Sequence, residues 1–256
     1  MKRMSRTSVT SRPALLSAVV MLALTSASVA SADDGPGPLG VTALAATTAH
    51  SVRVGALFGA DRAGRLAGGH FCTASVVHSP GRDLIVTAAH CVDGVDGDLV
   101  FVPGYRNGEA PYGVWTVGQR FLPDGWARDQ DEDSDIAFAV VGERDGRRIE
   151  DVVGAHRFAT GMATGATAVT VLGYPDVRET PISCTNKPTP HSSTQQRIDC
   201  PEFTSGTSGS PWINGDNQIV GVLGGHEQGG STDDVSYSVV LGREAAELYR
   251  DATSAH

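Results

Sequence analysis

Three short segments of the chain carry residue types that together can perform acyl-transfer chemistry. Gly206-Thr207-Ser208-Gly209-Ser210-Pro211 offers a serine between two glycines. Thr87-Ala88-Ala89-His90-Cys91 offers a histidine at the end of an apolar run, and Asp135-Ile136-Ala137 a carboxylate at the head of another. A serine hydroxyl is a poor nucleophile at neutral pH. It needs a base within hydrogen-bond reach, and the base needs an acceptor that fixes its tautomer. The reading is therefore Ser208 as nucleophile, His90 as general base and then acid, and Asp135 as the orienting carboxylate. Each segment alone has a plainer reading: a Gly/Ser turn, a core histidine, a solvated acid. Ser205 and Ser210 are rival nucleophiles in the same loop. Asp135 ends an acidic run of Asp129, Asp131, Glu132 and Asp133, of the kind that usually forms a solvated face. Only Asp135 is followed directly by the apolar Ile-Ala-Phe-Ala-Val-Val run, which can carry it into the protein.

The elements that must position these groups read as short strands. Apolar runs lie at residues 54–58, 71–77, 84–89, 99–102, 114–117 and 136–141. A second set lies at 168–172, 195–198, 219–223 and 235–241. Gly is abundant, with 31 residues, and the breakers fall between the runs. Many short strands with Gly-rich turns point to an all-β barrel or sandwich. Residues 243–251 carry a helical pattern, with Glu244, Ala245, Leu248 and Tyr249 on one face. At the other end, Lys2, Arg3, Arg6 and Arg12 precede an apolar run from Ala14 to Thr25 and the small-residue site Ala30-Ser31-Ala32. That is the layout of a secretory signal peptide over residues 1–32, which predicts a protein secreted outside the cell. Residues 33–51, rich in Gly, Pro, Ala and Thr, read as a linker or short pro-segment without a core pattern. The chain carries 29 acidic against 20 basic residues, a formal net charge of −9, and loss of the basic leader makes it more acidic still. Such a surface argues against nucleic acid and anionic membranes as partners.

The three motifs, in the order His, Asp, Ser, resemble those of the chymotrypsin-like (trypsin-like) serine peptidases over roughly Val52 to Leu241. The order excludes the arrangements of subtilisins and α/β-hydrolases. The resemblance implies two packed six-stranded antiparallel β-barrels and a short C-terminal helix. The N-terminal barrel would span about 52–142, the C-terminal barrel about 154–242, and the active site the cleft between them. The break would fall near the charged stretch Glu143–Val153. It also implies an oxyanion hole from the backbone N–H groups of Gly206 and Ser208, and a monomer that cleaves peptides or proteins without a metal or organic cofactor. His70 and Cys72 are close in sequence, but no C-x-x-C or H-x-x-x-H set accompanies them to suggest zinc. Four cysteines in an exported chain suggest two disulfides, and sequence alone allows three pairings. Cys72–Cys91 and Cys184–Cys200 are preferred because each closes a short loop within one half of the chain. Cys72–Cys91 is also similar to the family's bridge at the histidine loop.

The chain departs from the family pattern before the nucleophile. Thr207 stands where many members carry an Asp that pairs with a newly cut N-terminal amine, so that mode of activation is not expected. The Gly-Thr-Ser-Gly-Ser-Pro form is similar to the bacterial glutamyl-endopeptidase-like branch. Leu223, however, occupies the place where those enzymes often carry a substrate-binding histidine. Glu202 lies six residues before Ser208, where the family places the base of its specificity pocket. These two positions predict that Arg, Lys or apolar residues are accepted at the cleaved bond and acidic ones disfavoured. Gly224 and Gly225 are candidates for pairing with substrate backbone by β-addition. The competing reading is a secreted binding module on a peptidase scaffold with little or no turnover.

Overall fold

The structure is a computed structural model that describes residues 38–95 and 97–254. The expected leader at 1–32 lies outside the described residues. A short strand, β1 (Thr42–Leu44), is followed by β2 (Val54–Gly59), β3 (His70–Val77), β4 (Leu84–Thr87) and β5 (Leu99–Pro103). Then come β6 (Trp115–Phe121), the helix α1 (Asp124–Asp129) and β7 (Ala137–Val141). Strands β2 to β7 close into an antiparallel barrel in the order β2-β3-β4-β7-β6-β5.

The strand period of two explains its core. Ala74 and Val76, Leu99 and Phe101, Trp115 and Val117, and Ala137, Ala139 and Val141 point into one buried cluster. The alternate residues are also buried. Val54, Ala56, Phe58, Val100 and Val102 pack with Leu172 and Tyr174, while Phe138 packs with residues of the C-terminal half. Both faces of β2, β4 and β5 are thus covered, which is why those runs are continuously apolar, whereas β6 alternates, with Thr116 exposed between Trp115 and Val117. Each fully buried Leu, Ile or Phe contributes about 1.5–3 kcal/mol relative to exposure.

The connection between the halves is less exposed than its charges predict. It contains a short helix, α2 (Ile149–Val153), whose Ile149 and Val153 enter the core of the first barrel. The C-terminal half comprises β8 (Arg157–Phe158), β9 (Val169–Gly173), β10 (Ile182–Asn186), β11 (Thr189–Pro190) and β12 (Gln195–Asp199). It continues with β13 (Pro211–Asn214), β14 (Gln218–Val222), β15 (Val235–Val239) and the helix α3 (Arg243–Ser254). Its strands form two sheets, ordered β1-β10-β9-β13-β14-β8 and β11-β12-β15, rather than one closed six-stranded ladder. Val171, Ile182, Ile198, Phe203, Trp212 and Leu223 are among the residues that fill its core. Helix α3 lays Ala245, Leu248 and Ala252 against a shared cluster that includes Phe138 and Ile136. No helix among the described residues is long and apolar enough to cross a membrane.

The described part of the segment before Val52, read from sequence as a linker or short pro-segment, carries a paired strand. β1 pairs with β10, and Ala45 is buried. The Thr42 hydroxyl donates to the Pro201 carbonyl at 2.5 Å, and Arg106 donates to the Ala45 carbonyl at 2.6 Å. The segment is therefore bound to both halves of the molecule. No hydrophobic period announces it, because most of these ties are made by its backbone.

His156, in the connection to β8, is fully buried. Its Nδ1 lies 2.9 Å from Ser75 Oγ, and its backbone bonds Val76 and His78 of the first barrel. Burial, and then the nearby charges of Arg53 and His50, push its pKa from 6.5 down to about 3. The unfolded chain therefore binds this proton at a pH where the folded protein does not. The stability held by neutral His156 is complete above pH 6.5 and is lost progressively as the pH falls toward 3, by up to roughly 1.4 kcal/mol per unit. Thermal unfolding followed across that range should show Tm falling below pH 6.5, and His156→Gln should flatten this part of the profile. An identical acid slope in the variant would refute the role of this histidine.

Candidate active site

Asp135 follows the exposed residues Asp131, Glu132 and Asp133 and is itself completely buried. The turn is built locally. The Asp131 side chain accepts from the Asp133 N–H, and Ser134 is tied to Glu244 of α3 at 2.9 Å. The chain then enters β7, so the apolar run after Asp135 carries the carboxylate inward.

Three N–H groups meet the Asp135 carboxylate. The His90 backbone N–H donates to Oδ1 at 3.0 Å, the His90 ring lies with Nδ1 2.7 Å from Oδ2, and the Gly225 N–H donates to Oδ2 at 2.7 Å. A buried carboxylate is costly unless it is fully bonded, and this set satisfies both oxygens. It also fixes the histidine: Nδ1 faces the acid, which leaves Nε2 as the ring nitrogen able to act as a base. His90 sits in a single helical turn at the end of β4, and its side chain is 13% exposed. Trp126 of α1, buried and anchored by its indole N–H on Asp93, flanks the ring with centroids 6.4 Å apart.

Cys72 is joined to Cys91, and Cys184 to Cys200. A ring nitrogen of His90 and the sulfurs of Cys72 and Cys91 lie within 4.8 Å of one another. The two sulfurs are bonded to each other and so are not thiolate ligands; the bridge instead staples the histidine turn to β3. His70, the other histidine near Cys72, bonds the Pro175 carbonyl through Nε2. Each loop closure contributes on the order of 3 kcal/mol in the chain-entropy picture.

Ser208 is half-buried in a turn bounded by Gly206 (φ 90°) and Gly209 (φ 85°). Both glycines are required. A Cβ on Gly206 would lie 2.6 Å from the Tyr174 carbonyl oxygen. A Cβ on Gly209 would strike the Thr73 carbonyl and the Thr87 hydroxyl, on the strands that lead to the histidine turn. The loop is held by hydrogen bonds on both sides. Thr73 N–H donates to the Ser208 carbonyl at 2.7 Å, and Gly209 N–H to the Leu223 carbonyl at 2.7 Å. Among the described residues, neither the Gly206 nor the Ser208 N–H donates a hydrogen bond.

Thr207 is buried, and its hydroxyl donates to the Thr204 carbonyl at 2.7 Å. Ser210, also buried, donates to the Thr207 carbonyl at 2.6 Å. Ser210 is thus occupied in the turn. Ser205 accepts the Asp176 N–H on its carbonyl.

The structure does not bring Glu202 into a dry pocket. Its side chain is 52% exposed and accepts from Arg178 at 2.5 Å. The Glu202 carboxylate is thus solvated and paired rather than held dry. Its neighbours explain the displacement: Cys200 and Phe203 hold the segment through bonds to Asp234 and Asp233, and Glu202 itself takes a left-handed φ of 69°. The N–H groups of Gly224 and Gly225, the candidates for pairing with substrate backbone, are both engaged within the protein. The Gly224 N–H is bonded to the Tyr237 carbonyl, and the Gly225 N–H to Asp135. Leu223 is buried beside Phe203 and Trp212. Thr73, Thr87 and the hydroxyls of Thr207 and Ser210 hold the site together but carry no sequence signal, because buried hydroxyl-to-backbone bonds follow no period.

The model of the trypsin-like peptidase domain matches residues 72–222. No curated protein matches the chain. Among solved structures, the protease Anisep from Arthrobacter nicotinovorans is 28% identical over 80% of this chain and 96% of its own, with a TM-score of 0.69. The thermostable serine protease AL20 from an extremophilic microorganism is 29% identical over 82% of this chain and 100% of its own, also at 0.69. A Glu endopeptidase is similar in fold at 20% identity, covering 86% of this chain and 99% of its own, with a TM-score of 0.67. The matched residues run from the histidine-loop disulfide through the serine turn to the end of β14, and on that ground the chain belongs to the trypsin-like peptidase family and is a serine endopeptidase with the two-barrel fold.

Proposed function

We propose that the protein is a secreted endopeptidase that hydrolyses peptide bonds through an acyl-enzyme on Ser208. The observation that carries this reading is the bonding of Asp135. A fully buried carboxylate orients the His90 ring and leaves Nε2 as the base. His90 takes the proton of Ser208 Oγ as that oxygen attacks the substrate carbonyl carbon, then delivers it to the leaving amine. Water repeats the sequence in the second half: His90 deprotonates it, it attacks the acyl carbon, and the proton returns to Ser208. Asp135 stabilises the imidazolium without taking its proton. The N–H groups of Gly206 and Ser208 serve as the oxyanion hole, since neither donates a hydrogen bond among the described residues. Two disulfides and the leader pattern support an extracytoplasmic site of action.

Activation follows the local bonding of Thr207. Its side chain is satisfied by the Thr204 carbonyl, so the nucleophile turn needs no N-terminal amine to hold it. The described residues 38–51 remain with the enzyme in this reading, bound through β1 and Ala45.

Two outcomes are expected. Ser208→Ala and His90→Ala should stay folded, by circular dichroism and Tm, and lose peptide hydrolysis by several orders of magnitude. Near-normal hydrolysis by Ser208→Ala would sink the assignment. Forms that begin at Asp33, with and without extra residues ahead of it, should titrate to the same active-site concentration. Activity confined to one exposed N-terminal residue would contradict the account of Thr207.

A further inference from the structure

Thr73 is fully buried on β3, next to the bridged Cys72, and three of its polar groups reach the catalytic segments. Its N–H donates to the Ser208 carbonyl at 2.7 Å, and its carbonyl accepts the Thr87 hydroxyl at 2.7 Å. Its hydroxyl has two partners. The Tyr174 N–H donates to Oγ1 at 3.0 Å, and Oγ1 donates to the Gly206 carbonyl at 3.0 Å. The direction is fixed: a backbone N–H can only donate, so the single hydroxyl proton is directed at Gly206.

We infer that Thr73 is a positioning residue for the oxyanion hole, acting through its hydroxyl on the Gly206 carbonyl. This rests on the proposed peptidase reading and adds a residue to it. Gly206 sits at a φ of 90° with no side chain of its own to hold it, so its peptide planes are set by what bonds them. The Ser205 carbonyl is held by the Asp176 N–H at 2.8 Å on one side. On the other, the Gly206 carbonyl is held by Thr73. Between these two bonds the Gly206 N–H has a fixed direction. The Ser208 N–H is fixed by the same residue, because Thr73 N–H holds the Ser208 carbonyl while Ser210 holds that of Thr207. Thr73 thus couples the two donors of the hole to the barrel that carries His90.

The test begins with wild-type protein, of which one sample is labelled with a fluorophosphonate and a separate unlabelled sample is assayed on a peptide substrate. A wild type that neither labels nor hydrolyses overturns the peptidase reading itself, and with it this inference. Thr73→Val removes the hydroxyl at nearly constant volume, and Thr73→Ser retains it. With folding checked by Tm, Thr73→Val should lower kcat at least about tenfold, toward the 10²–10³ typical of a lost oxyanion donor, with KM changed little. Its affinity for a peptide boronate, which mimics the tetrahedral intermediate, should fall in parallel with kcat/KM. Thr73→Ser should recover most of both. If Thr73→Val does not fold, Thr73→Ala supplies the same comparison without a methyl group facing the two polar partners. A hydroxyl-free variant with kcat within twofold of wild type, or a serine variant as impaired as the valine one, overturns the inference.

Discussion

The buried carboxylate of Asp135 is the interaction on which the rest of the molecule depends. A charge removed from water is tolerated only when its oxygens are fully bonded. Here the donors come from the histidine turn and from Gly225, beyond the end of β14. Satisfying one residue therefore requires the first barrel to be closed and the C-terminal half to be packed against it. The shared apolar clusters make that possible. Ile136 and Phe138, which flank the entry of the acid, are buried with residues of β14, β15 and α3. Packing and charge satisfaction are thus one constraint: removing the apolar contact would expose the carboxylate, and removing the donors would strand it.

The serine turn meets a different requirement. Its backbone leaves the N–H groups of Gly206 and Ser208 unused among the described residues, while the Thr207 N–H between them is bonded to the Thr204 carbonyl. Positive-φ glycines supply the shape, and buried hydroxyls on Thr207, Ser210 and Thr73 bond the carbonyls that the shape leaves behind. The arrangement is self-contained. Where related enzymes couple this turn to a freed chain end through an aspartate, a threonine here closes the bond three residues away. The N-terminal segment still contributes, but as a paired strand that braces the Pro201 region, not as a charge partner of the nucleophile loop.

Much of this was legible in the residues. The three candidate catalytic segments stand out because chemistry restricts such sets to few residue types, and β2, β4 and β5 because both of their faces are buried; β6 is legible only by alternation, with Thr116 exposed between buried Trp115 and Val117. Helix α3 was readable from its one-sided pattern and runs three residues further than the pattern indicates. Other elements left no such trace. β10 and β13 follow Pro181 and begin at Pro211, where prolines and polar residues interrupt the apolar run. β1 is polar and small, and is held mainly by backbone bonds. Spacing from the nucleophile suggested a pocket for Glu202, but a left-handed backbone and a disulfide-bound neighbour turn it to the surface beside Arg178. The internal bonding of the Gly224 and Gly225 N–H groups was hidden for the same reason as the bonds of Thr73: backbone partners are chosen by tertiary position.

The most direct measurement is the rate at which a fluorophosphonate acylates the protein, with the labelled peptide identified by mass spectrometry, in wild type and in Asp135→Asn. In the proposed mechanism an oriented His90 makes Ser208 reactive, so the label should fall on Ser208 alone. The asparagine variant, which holds the ring by the wrong tautomer, should react slower by about 10⁴. Equal rates in the two proteins, or a label on Ser205 or Ser210, would contradict the account.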